Sequence, residues 1–294
     1  MDEIDFYLLR KLSLNSRLTF RELAELSNLS VSAVHKRINK LIEEGIIEGF
    51  IARPSVVALK YLIVIVFGSS KAKSLNDVCK ELGQHENVES TAIGGEKFLA
   101  IVGFLRDISE LQPFSIFVSE TALMSEPIVG ILNIPYITTP EPLTLIDYKI
   151  LKYLNKDARK PIIDIAEDVG LSAKTVRKRL NRMIEFNLAT FSIQVKPLYG
   201  TSHITFINLM LNEGMDIRSI INEINSKFSK NIITIFSYSN IPNMISLKIW
   251  ANTARESEEI QNGLQSLGFK DIIPHIGISG DFFDCWIDQL LRTK

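Results

Sequence analysis

The chain has 294 residues, of which 46% are hydrophobic and 23% charged, with 33 basic side chains against 34 acidic ones. This length exceeds the ~100–200 residues usual for one domain, and the apolar content excludes a disordered or collagen-like chain, while two lone cysteines exclude a disulfide scaffold. The longest apolar run, residues 61–67, is far shorter than the ~20 residues that span a bilayer, so we expect a cytoplasmic protein without a membrane segment. Taken as an average, the net charge of -1 also argues against a nucleic-acid partner.

The sequence contains an internal repeat with an offset of 142 residues. Residues 4–43 align with residues 146–185 without a gap, and 15 of these 40 positions are identical. The rest of each half repeats in pattern rather than in identity. The repeat therefore predicts two copies of one architecture in the chain.

Each copy begins with a helical segment. Residues 4–14 carry apolar side chains at helical spacing, and the Thr-x-x-Glu sequence at residues 19–22 is a capping box that predicts the start of a short second helix. Pro161 supplies the equivalent start in the second copy.

A sharp turn is predicted after this second helix in both copies. Asn28 and Gly170 occupy the same aligned position, and both residue types tolerate the positive φ that such a turn requires. Ser30 and Ser172 follow at the position where a serine caps the next helix. The arrangement predicts a helix-turn-helix in each half.

The remaining segments are mainly β-rich. Residues 46–53 and 188–196 follow the third helices and are short enough to form wing hairpins. Each half then predicts a ferredoxin-like β-α-β-β-α-β order: residues 61–67, 75–82, 88–93, 98–104, 107–118 and 128–134 in the first half, and 203–211, 217–228, 232–238, 244–251, 254–267 and 272–278 in the second.

The predicted fold class is α+β, a tandem repeat of a winged helix-turn-helix followed by a ferredoxin-like βαββαβ domain. Residues 135–142 contain three prolines and are predicted to form an extended linker. The predicted domains are two winged helix-turn-helix modules at 1–53 and 143–197, two ferredoxin-like sensing or oligomerisation domains at 54–134 and 198–280, and a C-terminal helical extension at 281–294.

The third helix of each module has an apolar face and a polar, basic face. A helix of this kind fits the DNA major groove, where Lys and Arg donate to guanine, Asn bonds adenine, and basic flanks contact phosphates. Double-stranded DNA is therefore the expected partner. The side chains assigned to DNA binding are Ser32, His35, Lys36, Arg37, Asn39 and Lys40 in the first module and Lys174, Thr175, Arg177, Lys178, Asn181 and Arg182 in the second.

The charge is divided unequally among the domains. Residues 146–197 carry 11 basic and 6 acidic side chains, whereas residues 54–145 carry 6 and 10, so the near-zero net charge averages regions of opposite sign. We predict that Lys178→Ala and Arg182→Ala weaken DNA binding more than Lys36→Ala. Because the two polar faces differ, an asymmetric or non-palindromic site is predicted; the alternative is that only the second module binds DNA strongly.

The first module resembles the winged helix-turn-helix of the Lrp/AsnC (feast/famine) transcriptional regulators. In that family the following βαββαβ domain mediates dimerisation and small-molecule sensing, so the resemblance implies a homodimer formed through the ferredoxin-like domains, the C-terminal helix or both. This chain differs in fusing two such units. The residues that carry the resemblance are Asp5, Leu9, Leu12, Arg17, Glu22, Leu23, Ala24, Leu29, Ser30, Val34, Lys36, Arg37, Ile38, Leu41, Glu43, Glu44, Gly45, Ile46, Ile47, Gly49 and Phe50.

The resemblance also implies a place for an effector. Amino-acid effectors of the family lie near a Gly-x-x-Asp turn between the two central strands, and Gly94, Gly95 and Glu96 are the candidate residues here. Phe98 stands where the Asp would be, and the second half has Asn-Ile-Pro-Asn at residues 240–243. An ordinary hairpin turn is the alternative interpretation, so a small-molecule effector stays open.

The sequence contains no established catalytic or metal-binding motif. It has no nucleophile-elbow, zinc-protease, Walker or dinucleotide-binding pattern, and its four histidines and two cysteines lack the spacing of zinc ligands. We therefore predict no catalytic residue, no metal site, no cofactor and no enzyme activity.

Two alternatives to a DNA-binding regulator stay open. Siroheme decarboxylases resemble this family in fold, and some are fusions of two halves, so a tetrapyrrole enzyme is one alternative. The His-rich stretch of that group is absent from residues 241–250 and 92–104. The other alternative is an amino-acid sensor that does not bind DNA.

The C-terminal segment has no counterpart in the first half. Phe282, Phe283, Trp286, Ile287 and Leu290 form an apolar stripe at helical spacing. Such a stripe packs either on its own chain or on a partner, and a dimer contact is the second of these two predictions.

Overall fold

The computed structural model describes residues 1–134, 142–196 and 203–294. These residues divide into two compact units. One holds residues 4–61, 142–196 and 284–294, and the other holds residues 1–3, 62–134 and 203–283. The linear domain bounds stay a prediction, and all of the predicted linker except Pro142 lies outside the described residues.

The order of helices and strands repeats between the halves. The first half contains α1 (Glu3–Leu14), α2 (Phe20–Ser27), α3 (Val31–Glu43), β1 (Ile47–Pro54), α4 (Val56–Leu59), β2 (Leu62–Ser69), α5 (Leu75–Leu82), β3 (Val88–Gly94), β4 (Phe98–Leu105), α6 (Leu111–Thr121) and β5 (Ile128–Ile131). The second half contains α7 (Leu145–Leu154), α8 (Ile162–Val169), α9 (Ala173–Glu185), β6 (Ala189–Val195), β7 (His203–Met210), α10 (Ile217–Phe228), β8 (Ile232–Ser237), β9 (Met244–Ala251), α11 (Ala254–Gln265), β10 (Asp271–Phe282) and α12 (Trp286–Thr293). The predicted α+β fold class is confirmed.

The local signals at the helix ends act as the sequence predicts. The Thr19 side chain accepts a hydrogen bond from the Glu22 backbone N–H, and the Glu22 carboxylate accepts one from the Thr19 backbone, which completes the capping box. Asn28 and Gly170 both adopt left-handed backbone geometry, with φ of 55° and 67°. The two predicted helix-to-helix turns are therefore confirmed.

The strands β1 and β6 form a two-stranded antiparallel sheet between the two helical modules. Its register pairs Phe50 with Ile193 and Ile51 with Ser192. The prediction of a separate wing hairpin in each module is wrong, because each segment forms one strand whose partner comes from the other module. Sequence pattern gives the strand but not the partner, since pairing over more than 140 positions leaves no local signal.

The C-terminal helix α12 packs on its own chain. It begins at Trp286, later than predicted, because β10 extends through Phe282. Ile287 and Leu291 are buried, and Trp286 makes an edge contact with Tyr61 at 6.0 Å between ring centroids. Ile287 and Leu291 are therefore used within the chain, which agrees with the first of the two predictions, while Trp286 and Leu290 stay partly exposed and a dimer contact through this helix stays a prediction.

The second unit is built on an eight-stranded sheet in the order β5-β2-β4-β3-β10-β7-β9-β8. Each half contributes four strands in the ferredoxin-like order, and the halves join along the antiparallel pair β3 and β10. The terminal strands also meet, because Leu132 forms a bridge with Tyr238 and the Asn240 side chain bonds the backbone of Val129 and Ile131.

Apolar clusters occupy both faces of this sheet. Val64 and Val66 belong to a buried cluster that includes residues of α5 and α6, while the alternating Ile65 and Phe67 belong to an aromatic-rich cluster with Phe98, Tyr238 and Met244. Among the described residues, none of the helices is both long and apolar enough to cross a bilayer.

Candidate nucleic-acid interface

The third helix of each module, α3 and α9, carries exposed basic side chains. Lys174, Arg177 and Lys178 are exposed on α9, and the described part of the chain gives none of them an ion pair or a side-chain hydrogen bond. On α3 the same holds for Lys36, while Lys40 lies 3.7 Å from Glu44. Among the described residues, α9 thus presents three uncommitted cations where α3 presents one.

Three further arginines of α3 and α9 form ion pairs within their own module. Arg37 forms an ion pair with the buried Asp5 of α1, at 2.7 Å from Nη1 to Oδ1. In the second module the equivalent Asp147, fully buried, receives Arg182 at 3.0 Å and Arg179 at 3.6 Å. A buried carboxylate needs such a partner, because desolvation of an unpaired charge is costly.

This pairing changes the roles of two residues assigned to DNA binding. Arg182 also donates to the Pro142 carbonyl at 2.9 Å, and its side chain is 15% exposed. Arg37 is 30% exposed. Both guanidinium groups are thus committed to anchoring the third helix, and Arg182 presents less charge to solvent than the sequence indicates. The identity of Asp5 with Asp147 in the repeat was the signal for this contact.

The other assigned side chains lie along the same two helices. On α3, the His35 ring makes an edge contact with Phe20 at 4.9 Å, and the Asn39 amide lies 3.4 Å from His35 Nδ1. Near the helix starts, Ser32 Oγ lies 3.1 Å from Ser30 Oγ, and Thr175 Oγ1 lies 2.9 Å from Ser172 Oγ. Asn181 is exposed on α9.

Two equivalent arginines connect the modules reciprocally. Arg17 Nη1 donates to the Ala158 carbonyl at 2.5 Å, and Arg159 Nη1 donates to the carbonyls of Ser16 and Leu18 at 2.9 and 3.0 Å. Burial lowers the pKa of both guanidinium groups from 12.5, and the charge of Arg159 lowers the pKa of Arg17 further. The Asp157 carboxylate acts in the opposite direction on both. Arg17 and Arg159 are among the identical positions of the repeat, but the sequence alone does not indicate this contact between the modules.

The candidate effector residues form a tight turn between β3 and β4. Glu96 and Lys97 both have positive φ, at 56° and 60°, and the flanking strands pair antiparallel, as the hairpin interpretation predicts. The turn lies against β10, where the His275 ring stacks on Phe98 at 3.8 Å. Burial lowers the pKa of His275, and the Glu96 charge acts in the opposite direction. Effector binding at Gly94, Gly95 and Glu96 stays a prediction.

The His85 side chain lies in packed surroundings. His85 contacts the rings of Phe114 and Phe117 at 5.8 and 4.5 Å, and its Nδ1 accepts from the Asn87 backbone. Burial lowers the pKa of His85. Within the described ranges, no three His, Cys, Asp or Glu side chains lie together in a way that could hold a metal ion.

Comparison with known proteins agrees with this geometry. A profile for winged helix-turn-helix DNA-binding domains matches residues 1–48, and a profile for the AsnC-type helix-turn-helix domain matches residues 143–184. A helix-turn-helix transcriptional regulator of Pyrococcus furiosus is 36% identical over 115 residues, which is 38% of this chain and 78% of that protein.

Two further relatives are also helix-turn-helix transcriptional regulators. The transcriptional regulator Ptr1 of Methanocaldococcus jannaschii is 34% identical over 39% of this chain and 78% of its own length, and LrpA of Pyrococcus horikoshii is 33% identical over 38% and 80%. The chain belongs to the Lrp/AsnC family of helix-turn-helix transcriptional regulators.

One solved structure shares the fold over the whole chain. The siroheme decarboxylase NirDL superposes with a TM-score of 0.62 at 13% identity, covering 99% of this chain and 98% of that one. At this identity the similarity shows a shared fold alone.

Proposed function

We propose that the protein is a sequence-specific DNA-binding transcription regulator whose two reading modules are carried by one chain. The observation that supports this most directly is the set of exposed, uncommitted cations on α9, namely Lys174, Arg177 and Lys178, on the helix that enters the major groove in helix-turn-helix proteins. Family membership supports the same function. Two modules in one polypeptide bind with high effective concentration, because the second contact is intramolecular.

The proposal is tested by recovering the DNA to which the chain binds. Fragments of the source genome are captured on the purified protein and sequenced, and a recovered duplex is compared with a shuffled duplex at fixed salt. We expect the recovered duplex to bind ~10³-fold more tightly. Equal affinity for the shuffled duplex would contradict sequence specificity, and no binding to either would contradict the function.

A matched pair of variants locates the interface. Replacing Lys174, Arg177 and Lys178 with Ala is expected to lower the slope of log affinity against log salt by roughly three units, because three phosphate or base contacts are lost. The control replaces three exposed lysines of the sheet unit, Lys71, Lys73 and Lys270, and removes the same charge. Equal losses from both variants would show that binding follows net charge rather than this surface.

We propose that the protein acts in the cytoplasm, without catalysis, and self-associates through the ferredoxin-like halves.

The competing function is that of a tetrapyrrole enzyme, because the chain shares the whole fold of a siroheme decarboxylase that was also solved with an iron-uroporphyrin III analogue. Titration with iron uroporphyrin separates the two functions. We expect no shift of the porphyrin absorbance band; a saturable shift would favour the enzyme.

A further inference from the structure

We infer that the protein binds its operator in one orientation, as an inverted repeat with unlike halves, and that Arg177 contacts a guanine only in the half-site beneath α9. The inference rests on the proposed function. It concerns the arrangement and polarity of the DNA site, which the exposed charges alone do not determine.

The inverted arrangement follows from the symmetry of the contacts between the modules. Adding the repeat offset of 142 to Phe50 and Ile51 gives Ser192 and Ile193, so the two central pairs of the β1 and β6 sheet exchange with each other. The contacts of Arg17 and Arg159 exchange in the same way. Reciprocal contacts of this kind define an approximate twofold axis. Two modules related by a twofold axis meet half-sites that are inverted, because duplex DNA has the same local symmetry.

The two modules differ at the positions that face the groove. Arg177 stands where the first module has His35, and Lys174 stands where it has Ser32. His35 is held by the Phe20 ring, whereas the position equivalent to Phe20 is Ile162, which offers Arg177 no aromatic contact. The symmetry of the scaffold is therefore broken at the residues that contact bases.

The difference at His35 and Arg177 has a direct consequence for base recognition. A guanidinium donates two parallel hydrogen bonds to guanine O6 and N7, and this is the most common specific contact in the major groove. An imidazole cannot make this bidentate contact. A guanine is therefore specified at one end of the site, and the bound chain has a polarity along the DNA.

Selection from a random duplex library tests the composition of the site. We expect an inverted motif with a guanine fixed in one half only. Arg177→Ala should remove that guanine, with roughly 10-fold to 100-fold loss of discrimination, while the other half is unchanged. His35→Arg should add a guanine to the other half. Both positions are exposed, so unfolding midpoints close to that of the parent chain confirm that each variant is folded.

Directed cleavage tests the orientation. Glu25 and Glu167 are equivalent exposed residues on α2 and α8, and the native cysteines Cys79 and Cys285 are buried, so a cysteine at either position carries an iron-chelate cleavage reagent selectively. We expect Glu25→Cys and Glu167→Cys to cut at opposite ends of the selected duplex. Cleavage at both ends by each variant would overturn the inference.

The outcomes also separate the inference from the proposed function. A selected motif with two identical inverted halves, or with two halves in direct repeat, would overturn the inference and leave a sequence-specific regulator. A library from which no motif emerges would contradict the proposed function itself.

Discussion

Arg17 and Arg159 are equivalent residues of the internal repeat, and each donates hydrogen bonds to backbone carbonyls of the module that contains the other. An identity between two repeats is usually explained by packing within each copy. Here the same side chain in both copies is explained by a contact between them. Because the carbonyls lie at Ser16, Leu18, Ala158 and Lys160, the arginines fix the loops between the first two helices of each module.

We predict that Arg159→Ala lowers stability without removing a DNA contact. Two hydrogen bonds from a charged group to partly buried carbonyls are lost, so the free energy of unfolding should fall by about 2 kcal/mol. Urea unfolding measures the change. The control is Arg177→Ala, whose exposed side chain has no ion pair or side-chain hydrogen bond to lose within the described residues, so its stability should stay within about 0.5 kcal/mol of the parent chain. A stable Arg159→Ala protein with weakened DNA binding would place this arginine in the interface instead.

The second module should dominate DNA affinity. Lys178→Ala is expected to weaken binding more than Lys36→Ala, because neighbouring Lys174 and Arg177 make the α9 surface more positive than that of α3. Fluorescence anisotropy on one duplex at several salt concentrations measures both affinity and salt slope. Equal losses from the two lysines would contradict the ranking.

Arg182→Ala should behave differently from Lys178→Ala. Its guanidinium neutralises the buried Asp147 and bonds the Pro142 carbonyl, so its removal should reduce stability as well as affinity. A loss of affinity with an unchanged unfolding midpoint would restore Arg182 to the role of a simple DNA contact.

The buried carboxylate of Asp288 should make the protein sensitive to acid. Burial alone would raise its pKa, but the charge of Arg53 and hydrogen bonds from Asn155, Arg53 and the Cys285 backbone outweigh this effect and lower the pKa below 3.8. A depressed folded-state pKa stabilises the protein above the unfolded value near 4, and this contribution is lost as the pH falls through the folded value.

The variant Asp288→Asn tests this contribution. At neutral pH it leaves Arg53 buried without its counter-charge and should cost about 3 kcal/mol. The difference in the free energy of unfolding between the variant and the parent chain should narrow as the pH falls below 3.8. Asp284→Asn is the matched control, because Asp284 pairs with Lys156 and Arg292 at the surface and should cost under about 1 kcal/mol. A pH-independent difference would remove the assigned role of the ionised carboxylate.

Tyr238 should limit stability in alkali. Burial raises its pKa from 10.0 to about 12, although the hydrogen bond to Ser246 acts in the opposite direction. Because the folded value is raised, the stabilisation is complete below pH 10 and is lost as the pH rises toward 12. Tyr238→Phe should cost about 1 kcal/mol at neutral pH through the lost hydrogen bond. The free energy of unfolding of the two proteins, measured from pH 8 to 12, should converge as the pH rises. Parallel curves would contradict the raised pKa of Tyr238.

The features that could be predicted from sequence are those with local signals. The capping box at Thr19 and the positive φ at Asn28 and Gly170 depend on residues within a few positions of one another, and the structure has both. The strand order of each ferredoxin-like half also follows from the pattern of its elements. These signals need no knowledge of distant partners.

The features that could not be predicted depend on distant partners. The pairing of β1 with β6, the approach of Arg182 to Asp147 and the contact of Arg53 with Asp288 join residues 35 to 235 positions apart. A helical wheel places Arg182 on the polar face, but it cannot show that Arg182 forms an ion pair with the buried Asp147 of α7. The sequence therefore predicts which face of the helix carries a basic side chain, but it does not predict whether that side chain is already used in an ion pair.

The sheet formed by β1 and β6 within one chain has a further consequence for how the protein evolves. Regulators assembled from separate identical subunits must change both modules with every mutation, and they can exchange subunits with related proteins. In this chain the two modules are encoded separately and remain joined after synthesis. Each has therefore been able to accumulate its own substitutions, as His35 and Arg177 show, without mixed assemblies in which the wrong modules meet.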